Sequence, residues 1–282
     1  MLDFFRIKLH AIGLIIKNRE KAVARGVLGA YIKLIFTYIF AVKMLGFKKK
    51  SENILGFKIV FFSYRVIVGL FEEIFIYNTY YFKASRSNPF ILDCGSNIGL
   101  SVLYFKKLYP DARVIAFEAD KDAFSMLEKN VSANNLMDVT LVNRALYGKK
   151  DVTLEFFSIA SDSGNPVNSL VKRPDEFKFK EPVKVLTDTL SGYMDNEVDF
   201  LKMDIEGAEN SVLNEAASEK KIHLIKECVL EYHHHLDVNE DKLGDILGMF
   251  EKNGFGYQIS TWLKPPFTGR KFQDLNIYFY KK

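Results

Sequence analysis

The chain has 282 residues, 48% of them hydrophobic and 26% charged, the values of a globular chain with a full core: one large α/β domain plus an extension, or two small domains. Its net charge of +4 is too weak to argue for nucleic acid. Cys94 and Cys228 both sit in apolar, strand-like runs, so they read as buried thiols of a reducing, cytoplasmic compartment and not as a disulfide.

Residues 1–50 read as an amphipathic helical extension, without the h-region and small-residue cleavage site of a signal peptide. Within it Val27–Phe47 comes nearest to a membrane span, but Lys33 and Lys43 leave only Leu34–Val42 free of charge. A crossing needs ~20 mostly apolar residues. The expectation is a helix packed over the core or lying on a membrane surface, because the basic stretches KNREKAVAR and GFKKK flank it. Residues 51–87 mix aromatic strands (FKIVFFSY), a helical piece (VIVGLFEEIF) and the cluster YNTYYF, a segment placed to cap a core.

From residue 88 to residue 282 the texture is that of one domain in which strands and helices alternate. FILDC, RVIAFE and VTLVNRAL are strands, separated by the helices IGLSVLYFKKLY and DAFSMLEKNVSANN. YGKKDVTLEFF adds a turn and a strand, and the polar stretch over residues 158–178 reads as a loop or lid. EPVKVLTDTL returns to strand and then helix. VDFLKMD and LIKECVLEYH are further strands, followed by the helices EGAENSVLNEAA and DKLGDILGMFEKNG, the latter capped by Gly254. FGYQIS and LNIYFYKK close the chain as strands. This alternation predicts an open, doubly wound, mostly parallel sheet, with ligands outside the carboxyl ends of its strands.

ILDCGSNIG falls where that rule puts a ligand. Gly95 and Gly99 remove side chains where the backbone turns, the N–H groups of the new helix stand ready to donate, and Asp93 can face a cation. A tight strand-to-helix turn capped by Ser96 or Asn97 would use the same residues. Glu118 ends the second strand 23 residues beyond Gly95, the place of an acid that binds two ribose hydroxyls. The middle glycine of G-x-G-x-x-G is Asn97 here, so a pyrophosphate is poorly served. S-adenosylmethionine, zwitterionic at its amino-acid end and free of phosphate, suits the loop better.

In LKMDIEGAE, strand alternation puts Lys202, Asp204 and Glu206 on one side. Acids gathered at the mouth of a sheet suit a base or a binder of a substrate hydroxyl. Favourable charge at a helix N-terminus competes as the explanation for Glu206 and Glu209. The last cluster is Glu231, Tyr232 and the triplet His233, His234 and His235. Successive histidines on a strand point to alternate sides, so at most two could share an ion and no metal is expected. His233, nearest the strand, is expected as general base.

In this order and spacing, ILDCGSNIG, AFEAD, NVSANN, FLKMDIEGAE and LEYH resemble the FkbM family of S-adenosylmethionine-dependent methyltransferases, over roughly residues 88–255. The K-x-D-x-E-G-A-E run is the most specific part, and the stretch from ILGFKIVFFSY to EEIFIYNTYYF looks like the region before the core in some relatives. The resemblance implies a class I methyltransferase (Rossmann-like) fold with its final strand inserted antiparallel. It also implies methylation of a hydroxyl on a sugar, glycolipid, polysaccharide or other secondary metabolite. Many members follow the second-strand acid with proline, where this chain has Ala119. No motif fixes the adenine; Asn143, at the tip of the third strand, is the residue placed for it. A nicotinamide-dependent oxidoreductase is disfavoured by the missing glycine. A non-catalytic cofactor-binding or membrane-surface scaffold is disfavoured by the Lys202–Asp204–Glu206 cluster. A nucleic-acid methyltransferase would want an N/D-P-P-Y/F motif, which the sequence lacks.

Overall fold

The computed structural model describes residues 2–17, 26–48, 50–157, 181–234, 242–261 and 273–282. Helix α1 (Leu2–Lys17) precedes α2 (Val27–Phe36), which runs on as a π-helical segment over Thr37–Met44. Strands β1 (Ser51–Ile54) and β2 (Phe57–Val60) form a hairpin. Leu55 and Gly56 both have positive φ (54° and 92°), as the tight mirror-image turns of two-residue hairpins require. Helix α3 (Tyr64–Phe71) starts on Ser63, whose hydroxyl accepts from the Val66 N–H at 3.3 Å, and continues as a π segment over Glu72–Ile76.

The main sheet follows: β3 (Phe90–Cys94), α4 (Leu100–Leu108), β4 (Arg113–Phe117), α5 (Lys121–Ala133) and β5 (Val139–Val142). Then come β6 (Ala145–Leu146), β7 (Thr153–Phe156) and β8 (Val183–Asp188), which form a separate three-stranded sheet. The expected single strand VTLVNRAL is therefore broken in two. The break falls at Asn143, whose amide donates back to the carbonyl of Glu118 at 2.8 Å. Strand β9 (Val198–Met203), α6 (Glu209–Ser218), β10 (Ile225–His234), α7 (Leu243–Lys252), β11 (Phe255–Thr261) and β12 (Gln273–Lys281) complete the chain.

The seven-stranded order is β11-β12-β10-β9-β3-β4-β5. Pairs β10–β9, β9–β3, β3–β4 and β4–β5 are parallel, while β12 lies antiparallel between β10 and β11. This is the class I methyltransferase arrangement that the sequence led us to expect, final strand included. Helix α6 begins only at Glu209, because Glu206 (φ 57°) and Gly207 (φ 105°) turn the chain with left-handed backbone. Gly254, at φ +81°, ends α7 as expected.

Period-two alternation assigns the two faces of the sheet. Ile91, Phe200 and Val229 join one core with α1, α2, α3 and α4, whereas Leu92, Leu201 and Leu230 join another with α6 and α7. One apolar cluster thus links residues of the N-terminal helices, the segment 51–87 and the sheet. Phe82 in that segment stacks on Phe200 of β9, ring centroids 4.3 Å apart.

Two asparagines of the sequence NVSANN stitch the hairpin to α5. The side chain of Asn130, fully buried, accepts from the Val60 N–H at 2.7 Å and donates to the carbonyls of Val60 (3.0 Å) and Ile98 (2.8 Å). One turn on, Asn134 accepts from the Lys58 N–H (2.8 Å) and donates to the Lys58 carbonyl (2.9 Å). Side-chain amides here do what a neighbouring strand would do for the edge of β2. Cys94 and Cys228 are free, buried thiols, as expected, and burial pushes both thiols up from their ordinary pKa. The loop or lid expected over 158–178, and His235, lie outside the described residues.

Candidate active site

The register of the parallel strands sets Asp93 beside Lys202 and beside Ala116 of β4. Asp93 is fully buried; its Oδ2 accepts from the Ser101 hydroxyl at 2.5 Å, and its Oδ1 faces the Lys202 ammonium at 3.6 Å. The Lys202 ammonium stands 3.6 Å from Asp204 as well, and it donates to the main-chain carbonyls of Cys94 and Gly95. Burial disfavours its charge, but Asp204, Asp93, Glu73 and Glu231 outweigh this and raise its pKa. Lys202 is therefore a permanent cation that ties β9 to the glycine loop.

The loop is built around that tie. Gly95 has φ +82°, and a Cβ there would run into the main-chain carbonyl of Asp204. Gly99, at φ +86°, precedes α4, and a Cβ on it would come within 2.5 Å of the Leu127 side chain. Gly99 thus serves packing of α4 on α5, away from the cleft. The amides of the loop itself, residues 95–99, are bonded within the protein. Those of Gly95 and Ser96 go to the Phe117 carbonyl (3.0 and 2.8 Å), and that of Gly99 goes to the Ser96 carbonyl (2.8 Å). Asn97 gives its N–H to Glu118 (2.8 Å), and its side chain accepts from the Ile98 N–H (2.8 Å). A cradle for a pyrophosphate is absent from these loop residues.

Glu118, at the end of β4, also accepts from the Asp120 N–H at 2.8 Å. Burial pushes its carboxyl up to about 7, with the N–H bonds from Asp120 and Asn97 pulling the other way. Asn143 does not line the cleft. It holds the main chain of Glu118, and the wall at this end is formed by Arg144, Ala145 and Leu146.

The cleft occupies about 1280 Å³, its open mouth included, and Ser96, Asn97 and Glu118 line one part of it. Another part is strongly acidic: Glu73, Asp204, Glu206, Glu231 and Asp274, with His233 and Tyr80. Tyr80 donates to Glu73 at 2.7 Å. Burial, and then Asp204, raise the pKa of both Glu73 and Glu231. His233 is buried, with Nδ1 at 2.9 Å from Glu209 and Nε2 at 3.0 Å from Glu206. Burial opposes its charge, yet Glu206 and Glu209 together raise its pKa well above the ordinary value. Both ring nitrogens thus face carboxylates, an arrangement that favours the imidazolium and disfavours the expected role of general base.

Ligand atoms of Asp204, Glu206 and His233 lie within 4.8 Å of one another, as do those of Glu231, His233 and Asp274. Both sets depend on His233, whose nitrogens already face Glu206 and Glu209. The structure brings Lys202, Asp204, Glu206 and His233 together as the sequence implied. Glu73, Tyr80 and Asp274 escaped sequence reasoning. Only the paired acids Glu72 and Glu73 within an otherwise apolar helical run carried a signal. Glu72 bonds to Lys8 and Tyr31, whereas Glu73 lines the cleft.

Known methyltransferases resemble this chain in sequence. The chain is 31% identical over 232 residues to "Methyltransferase 1" of Beauveria bassiana (strain ARSEF 2860), covering 73% of this chain and 86% of that protein. It is 29% identical over 190 residues to "Methyltransferase sdnD" of Sordaria araneosa, covering 57% and 73%. Among solved structures, methyltransferase FkbM from Methylobacillus flagellatus KT matches with 18% identity and a TM-score of 0.43, over 77% of this chain and 53% of that one. The chain thus spans about half of that structure's length. TYW2 of M. jannaschii, solved in complex with AdoMet, matches with 15% identity and a TM-score of 0.43 over 84% and 89%. The profile of the methyltransferase FkbM domain fits residues 93–257, which hold the glycine loop, Glu118, the Lys202–Glu209 run and His233, and the chain belongs to the FkbM methyltransferase family.

Proposed function

We propose that the chain uses S-adenosylmethionine to methylate a hydroxyl oxygen of a sugar, glycolipid, polysaccharide or other secondary metabolite. The observation that carries this reading is the charge of the cleft. Glu118, Asp204 and Glu206 line it, while the amides of Gly95, Ser96, Asn97 and Gly99 are already bonded. That acceptor set suits neutral ribose hydroxyls and a cationic sulfonium and ammonium, and repels the pyrophosphate of a nicotinamide dinucleotide.

When bound, the cofactor supplies an electrophilic methyl group on sulfur. Glu118 accepts from the ribose hydroxyls, and Ser96 and Asn97 form the adjoining wall. Lys202 fixes the loop and the Asp204 carboxylate in one geometry. Asp204, held between Lys202 at 3.6 Å and His233 at 4.0 Å, takes the proton of the acceptor hydroxyl. His233 and Glu206 hold the acceptor oxygen's surroundings in place. Glu73 and Tyr80 from the capping segment close the acceptor side. Alignment supplies most of the rate, up to ~7–11 kcal/mol for well-held reactants, and proton removal a further ~10²–10⁴-fold.

The test is calorimetric titration with S-adenosylmethionine, followed by mass spectrometry of a hydroxyl-bearing glycan and lipid panel for gain of one methyl group. With an acceptor in hand, Asp204→Asn should lower the single-turnover rate by ~10²–10⁴-fold, and His233→Gln by less. An undiminished rate in Asp204→Asn would remove that residue as base. Failure to bind S-adenosylmethionine would remove the whole reading.

A further inference from the structure

Thirteen large apolar side chains stand exposed among the described residues, and eight of them fall between residues 9 and 47. They are not scattered. Ile32, Phe36, Phe40 and Met44, at 53%, 65%, 45% and 67% exposure, recur at every fourth position of the continuous helix Val27–Met44. The opposite side of that helix, with Val27, Tyr31 and Leu34, is buried against the protein. Phe36 and Phe40 stack at 5.6 Å, and with Ile12, Ile35 and Ile39 they border an apolar groove of about 690 Å³, its open side included, between α1 and α2. Leu9 and Ile16 of α1 add to the same exposed set.

The charge of this segment is equally one-sided. Residues 1–50 contain eleven Lys and Arg against Asp3 and Glu20 alone, a net +9, so the other residues carry −5 of the chain's total of +4. An exposed apolar stripe in so basic a segment is complementary to an anionic lipid bilayer.

We infer that the N-terminal helices dock in the plane of an anionic membrane surface, with the Ile32–Phe36–Phe40–Met44 stripe entering the boundary between headgroups and acyl chains. The helix Val27–Met44 is long and apolar enough to cross a membrane by composition, and 17% of it is buried. In-plane docking is nevertheless what its other contacts require. Tyr31 bonds to Glu72, and Lys33 pairs with Glu52 at 2.7 Å; a crossing orientation would strip both of their partners. In-plane docking also puts the cleft one helix away from the lipid. The helix from Tyr64 to Ile76 packs Phe71 on Tyr31 (ring centroids 6.2 Å apart) and presents Leu70, Glu73 and Ile74 to the cleft.

The full chain is mixed with vesicles of phosphatidylcholine alone and of phosphatidylcholine with phosphatidylglycerol, then sedimented. Binding is expected on the mixed vesicles, about tenfold or more weaker on phosphatidylcholine alone, and reversed by high salt. Phe36→Glu/Phe40→Glu should weaken it about tenfold or more while the melting temperature and S-adenosylmethionine titration stay as in wild type. Absence of binding to the mixed vesicles, or equal binding by the double variant, overturns the inference. So does a dimer in light scattering that the double variant abolishes without any lipid binding, since the stripe would then serve a second copy of the chain. Retention through salt and alkaline washes until detergent is added would mean a crossing helix, and overturns the in-plane reading.

Discussion

Asn97 donates its main-chain N–H to Glu118 at 2.8 Å, so the glycine loop and the acid ending the second strand of the core are one unit. The loop is positioned by the same carboxylate that is to receive a ribose. Burial pushes that carboxyl up to about 7, against the pull of the N–H groups of Asp120 and Asn97. Two hydroxyl donors need the ionised form, which is lost as pH falls through that value. S-adenosylmethionine affinity should therefore be level above pH ~7.5 and fall about tenfold for each unit below ~7. Glu118→Gln should bind weakly at every pH and lose the slope. Calorimetric titrations between pH 6 and pH 8 decide it, and a flat wild-type profile would contradict the ribose assignment.

The legible part of this protein lay where chemistry is written in neighbouring residues. Asp93, Gly95 and Glu118 sit at strand ends that period-two patterning locates, and the run Lys202–Glu209 ends the strand that pairs with Asp93. Long-range pairing was hidden. Glu73 and Tyr80 reach the cleft from the capping segment and Asp274 from the final strand, and nothing local tells which face of those elements is turned inward. Gly99 and Asn143 show the converse. Their spacing suits ligand contact, but one makes room for Leu127 and the other holds the Glu118 carbonyl. Spacing reports that a turn is tight; it does not report which neighbour made it so. Protonation of His233 was hidden for the same reason, since one of its two carboxylates, Glu209, lies on a helix 24 residues upstream.

The link between Asn130 and β2 makes a stability prediction. In Asn130→Ala the Val60 N–H and the carbonyls of Val60 and Ile98 lose their partner together. The bond to the Ile98 carbonyl is buried and the two to Val60 are half-buried; a group orphaned in a buried place costs about 1–3 kcal/mol, so the variant should lose roughly 2–3 kcal/mol. Asn134→Ala removes a similar pair of bonds to Lys58, but those are exposed and water can replace them. Its loss should stay below about 1 kcal/mol. Denaturant unfolding of the two variants compares them directly. Equal, small losses would mean that the hairpin is held by apolar packing alone.

Removing the cation beneath the loop should do more. Lys202 is the charge partner of a fully buried Asp93 and also faces Asp204. In Lys202→Met the Asp93 carboxylate remains buried without its cation, and breaking a buried pair from one side costs about 3–5 kcal/mol. Burial already raises the Asp93 pKa, with Lys202 and then Ser101 holding it down. Without Lys202 the carboxyl should rise further and fold in its neutral form. A carboxyl whose folded pKa exceeds the unfolded one takes up a proton on folding. Stability then grows as pH falls from the folded pKa toward ~4, where the unfolded carboxyl also protonates. The variant should thus recover part of its loss on mild acidification, and Lys202→Met/Asp93→Asn should be more stable than Lys202→Met at neutral pH. Denaturation curves at pH 5 and pH 7.5 measure both effects; if the double substitution instead destabilises additively, Lys202 acts through the loop carbonyls and not through Asp93.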